Sequence, residues 1–130
     1  MEYVGTSIND SATIVLPAGE DITGARGIAL GITDGAVGLP DAGANAIGIS
    51  VIETEENVTE GADVDIQIKD IGKWTAGEAI DIGDELATDA TGKAVKAASG
   101  DFIVGVALSA ATAAGTFVTV QITKSGYKAE

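Results

Sequence analysis

The chain has 130 residues, with 20 acidic and 7 basic side chains, a net charge of −13, and neither histidine nor cysteine. This composition fits one domain, excludes disulfides, thiolate metal sites and histidine general-base chemistry, and disfavours nucleic acid and anionic membranes as partners. Eighteen glycines beside only two Phe, two Tyr and one Trp imply many turns and a core of small β-branched and aliphatic residues, leaving a lone monomer modestly stable.

Residues 1–20 read as an extended N-terminal arm ending in an edge strand at the apolar cluster "TIVLP" (13–17). The opening lacks a basic stretch followed by an apolar one, so no cleaved export signal is expected. A single β domain is predicted over 21–126. Its first half, about 24–70, begins with "GIALGIT", turns at "TDGA", and continues through "PDAGAN" into the apolar strand "NAIGISVIE" (45–53). "DVDIQIK" (63–69) alternates Val64, Ile66 and Ile68 against Asp63, Asp65 and Gln67, a period of two with one buried and one wet face. "DIGKWTAGEAID" (70–81) joins the halves and holds the lone tryptophan, Trp74. The second half, about 76–124, runs from "GDELAT" through the "ATGKA" turn to "DFIVGVAL" (101–108) and "FVTVQITK" (117–124). In the last of these Val118, Val120 and Ile122 face inward. "SAATAAG" (109–115) is too short for a helix and reads as a loop or one turn, and residues 127–130 read as a frayed tail.

The halves are copies. Gly35, Gly43 and Gly48 recur as Gly92, Gly100 and Gly105 at a displacement of 57, and Gly27 and Leu30 recur as Gly83 and Leu86 at 56. Gly61, Val64, Gln67 and Ile68 recur as Gly115, Val118, Gln121 and Ile122 at 54. The predicted fold is therefore all-β, a small barrel or sandwich built from two related β-modules with approximate two-fold symmetry. Gly48 and Gly105, mid-strand at matching places, predict a bulge, a bend or a close backbone approach.

The residues offer little chemistry. The carboxylates lie in turns or at outward strand positions, where they keep a surface soluble. The "ETEEN" and "DIGDE" clusters do not have the spacing of a calcium loop. "GARGIALG" lacks the Lys-Ser/Thr ending of a phosphate loop, and no G-x-S-x-G elbow occurs. Lys93, beside Gly92, occupies a hairpin like the modified lysine of swinging-arm carrier domains, but without the residues that precede that lysine, so it reads as a turn residue. No catalytic, cofactor-binding or metal-ligating residue is assigned, and the chain is read as a non-enzyme without a cofactor. Trp74 has two readings, as filler for the joint between halves or as an exposed interface anchor.

From Trp74 to Thr123 the chain resembles the bacteriophage capsid decoration, or head cement, proteins. The resemblance is carried by Ala76-Gly77, by Ile82-Gly83-Asp84-Glu85-Leu86, by the Asp89–Lys93 hairpin, by Val104–Leu108 and by Gly115–Ile122. It implies a β-barrel-like domain, commonly a homotrimer, docked on the major capsid protein shell at the outer surface of the virion, where it braces neighbouring capsomers. It implies no catalytic residue. It also makes the arm, Met1 to Asp10, a candidate shell-binding segment, and with Trp74 the residues Tyr3, Val4 and Ile8 are the expected interface. The alternative reading is a non-catalytic β adhesion or surface module of a phage tail, fibre or bacterial surface.

Overall fold

In a computed structural model the described residues, 11–129, form twelve strands and no helix. The first module contributes β1 (Thr13–Pro17), β3 (Ala29–Thr33), β4 (Ala36–Gly38), β5 (Gly48–Ser50) and β7 (Asp63–Gln67) to one five-stranded sheet of order β1-β7-β5-β3-β4. The second contributes β8 (Asp70–Thr75), β9 (Glu85–Thr88), β10 (Ala94–Lys96), β11 (Phe102–Ala107) and β12 (Phe117–Tyr127), of order β8-β12-β11-β9-β10. Strand for strand the orders coincide. The short pair β2 (Ile22–Thr23) and β6 (Asn57–Val58) forms a small separate ribbon over the first module.

The repeat is deeper than matched glycines. Ala18 N–H donates to Ala62 O and Gly19 N–H to Val37 O; in the second module Ala76 N–H donates to Thr116 O and Gly77 N–H to Ala94 O. Glu20 accepts from Leu39 N–H just as Glu78 accepts from Lys96 N–H, each at 2.8 Å. The strand orders also add β1 and β8 to the front of the halves that the glycine spacing delimits. "TIVLP" and "DIGKWT" are thus counterparts, and Leu16 and Trp74 occupy the same register.

Neither sheet is closed into a barrel. The edges of each touch at one isolated bridge, Ala18 to Val37 and Ala76 to Ala94, so the sheets curl without completing a ladder. What curls them is visible at Gly48 and Gly105. A Cβ at either would lie 2.4 Å from Gln67 O or 2.5 Å from Gln121 O, inside any van der Waals limit, so only glycine lets the two strands approach there. At Gly105 the β11–β12 register also slips, the expected bulge.

Each module has its own core. The first is built on Ile22, Ile28, Leu30, Val37, Val64 and Ile66. The second is built around Trp74 with Leu86, Val104, Val118 and Val120. Ala29, Ala46 and Ile49 leave the first module's core and join the second. Ala29 and Ile49 sit on the outer pleat of the first sheet and Ala46 just before β5, and that face is where the second module docks. The joint is hydrogen-bonded: Gly92 O accepts from Ala29 N–H (2.7 Å) and from the Trp74 indole Nε1–H (2.8 Å), Gly43 N–H donates to Thr88 O, and Thr75 N–H donates to Gly27 O.

Candidate functional site

Trp74 is fully buried, its ring in the second core and its N–H on Gly92 O, so it presents no surface to a partner and fills the joint between modules. Tyr3, Val4 and Ile8 lie outside the described residues. Lys93 is half-buried in a hairpin organised by Asp89, whose Oδ1 accepts from Thr91 N–H, Thr91 Oγ1–H and Lys93 N–H. That hairpin is pressed against the first module and presents no swinging arm. Among the described residues no three Asp or Glu side chains converge as a metal site. The acidic depression of about 320 Å³ beside β6 and β7 is lined by Glu53, Glu55, Asp63 and Asp65 among others, and it is broadly open to solvent.

The face that stands out is the outer pleat of the second sheet. Cross-strand register sets its rows: Thr75 opposite Phe117; Lys73, Thr119 and then Leu108; Ile71, Gln121, Val106 and then Glu85. Ile71 is 60% exposed, Phe117 47% and Leu108 42%, which sets three large apolar side chains in water on one face. Lys73 Nζ donates to Thr119 Oγ1 at 2.6 Å, holding its charge down on the sheet between them. The one carboxylate in these rows, Glu85, is at the far edge and is paired with Lys128 at 2.6 Å. In a chain of net charge −13, a sheet face without a free carboxylate is exceptional.

Comparison with the first module sharpens this. Phe117, Thr119 and Gln121 correspond, at the displacement of 54, to Asp63, Asp65 and Gln67. The two outward aspartates of the first copy are thus a phenylalanine and a threonine in the second. Sequence reasoning counted the outward residues of "FVTVQITK" as ordinary wet positions. The signal was nonetheless present, in the loss of acids between two aligned strands.

The comparisons with known proteins bear on family and fold. The phage cement protein family matches residues 6–122. The chain belongs to that family. Its members are structural proteins of the phage head, so the head-cement resemblance read from the second module holds for nearly the whole chain. None of the curated proteins searched matches. Among solved structures, the N base of the head fibre gp8.5 of bacteriophage phi29 is similar at a TM-score of 0.66 and 22% identity, over 89% of this chain and 97% of that one. At that identity the likeness is one of fold.

Proposed function

We propose that this cement-family protein is a non-catalytic decoration protein that binds the outside of an assembled phage head and stabilises it, docking through the outer face of the second sheet. The observation that carries the docking face is its freedom from unpaired carboxylates, with Ile71, Leu108 and Phe117 in water. Desolvating a carboxylate is costly, so the patch a partner can cover most easily is the one that has none. In this reading the partner is the major capsid protein shell and the working form is a homotrimer, made in the host cytoplasm before docking. Many modest contacts repeated by symmetry then add through avidity.

The test mixes purified protein with undecorated heads of its source phage and counts bound copies by cryo-electron microscopy. Saturable decoration is expected, with heads that survive heating better than bare ones. Ile71→Asp with Phe117→Asp should weaken binding about tenfold or more, since both changes bury a charge in the contact. Asp63→Asn, at the matching position of the first module, should bind as the parent does. Heads that stay bare at saturating protein overturn the capsid reading, whereas unchanged binding of the double variant overturns only the choice of face.

A further inference from the structure

The module joint is head to tail: the second module's β9–β10 hairpin and Trp74 sit on the outer face of the first, at Gly27, Ala29, Gly43 and Ile49. A head-to-tail contact joins two different surfaces, so each module keeps the one it does not use. The second module therefore carries the same face, at Gly83, Glu85, Gly100 and Val106, and the first carries the same hairpin, Thr33–Ala36, preceded by Ile32 at 49% exposure. Ile32 is the register counterpart of Thr88, which is buried in the joint. One copy thus presents both halves of a joint that another copy could complete.

Residues 127 and 128 reach one margin of that second face, at Gly100 and Glu85, while Gly83, Glu85 and Gly100 stay exposed. Gly43 N–H is satisfied by the next module's Thr88 O, and its counterpart Gly100 N–H is satisfied by Lys128 O at 3.0 Å. Lys128 N–H returns a bond to Asp101 O at 2.7 Å. Where the first module has Ala29, buried under its neighbour, the second has Glu85, and Lys128 Nζ sits on that carboxylate at 2.6 Å. Tyr127 packs edge-on to Phe102, ring centroids 5.1 Å apart, and Lys124 Nζ lies 5.7 Å over the same ring. The path is itself part of the repeat. Asp70 and Lys124, displaced by 54, both have positive φ, the first where the chain enters β8 and the second within β12. In the first module that turn leads into β8; in the second it leads into the segment that folds over Phe102.

We propose that residues 124–128 are an intramolecular cap, occupying on the second module the Gly100–Glu85 margin of the face that the first module uses for docking, so that copies of this chain do not add head to tail through the Ile32–Ala36 hairpin.

The test compares the full chain with a chain ending at Thr123 by sedimentation velocity over a range of concentrations, with near-ultraviolet circular dichroism to verify folding. Whatever assembly the full chain forms, the shortened chain should show a weight-average mass higher by about twofold or more, rising with concentration. Ile32→Asp in the shortened chain should return it to the full-chain state. If the shortened chain fails to fold, Lys128→Glu, which sets like charges together at Glu85, supplies the same comparison at full length. The proposal is overturned if the folded uncapped variants sediment as the full chain does. It is equally overturned if their assemblies persist with Ile32→Asp, or if Ile32→Asp dissolves an assembly of the unaltered chain, since the face would then already be open.

Discussion

At the scale of single residues, the architecture depends on a few side chains whose absence or burial is enforced by backbone. Gly105 is the sharpest case. A methyl group there would meet Gln121 O at 2.5 Å, and that oxygen belongs to the neighbouring strand and cannot rotate away. Gly105→Ala should therefore cost about 1–3 kcal/mol, the cost of overpacking a rigid core, read as a lowered midpoint in urea with an unchanged slope. A cost below about 0.5 kcal/mol, the range of indifferent surface changes, would mean that the strands are not held together there. The glycine recurs at Gly48 with the same close approach to Gln67 O, so the reason for this part of the repeat is steric. Trp74 teaches the opposite lesson. Its two readings, filler or exposed anchor, could not be separated in sequence because both use the same apolar area. Its burial against Gly92 O separates them.

At the scale of elements, the two β-hairpins are related by the repeat but differ in what surrounds them. Gly35 and Gly92 share a left-handed backbone, φ of 80° and 84°. A Cβ at Gly35 meets nothing within 4 Å, whereas at Gly92 it would lie 2.6 Å from Ala29 O across the module joint. Gly35→Ala should cost only the strain of a left-handed alanine, about 1–2 kcal/mol. Gly92→Ala should cost more than twice that and should also raise amide exchange at Ala29, because Gly92 O is the acceptor for that N–H. Equal costs for the two would contradict the joint. The existence of the hairpins could be read from "TDGA" and "ATGKA". Which of them docks could not, because turn chemistry specifies a local backbone and says nothing of its neighbour.

At the scale of the whole molecule, the net charge of −13 acts on every contact at once. Self-repulsion opposes the compact state and is screened over about 10 Å at 0.1 M salt. The thermal midpoint should therefore rise by a few degrees as sodium chloride goes from roughly 10 mM to 500 mM, at the scale of about 1 kcal/mol in a domain of this size. A flat or falling midpoint would mean that attractive ion pairs outweigh the repulsion. Three acid–lysine pairs are formed among the described residues, two of them at 3.9 Å and shared by one lysine, Lys96. That supply is too small to reverse the sign.

The amino-acid sequence by itself determined that this protein is all-β, made of one unit written twice, without histidine or thiol chemistry, and kin to phage cement proteins. Those properties are local or compositional: period-two alternation, glycines at fixed displacements, and residue types present or missing. Only the tertiary structure decided that the sheets stay open, that the modules stack head to tail on the face of Ala29 and Ile49, and that Lys128 bonds to the matching face at Gly100 and Glu85. The physical reason is that copies of one sequence carry the same surfaces, and which of those surfaces is buried depends on what lies next to it in space.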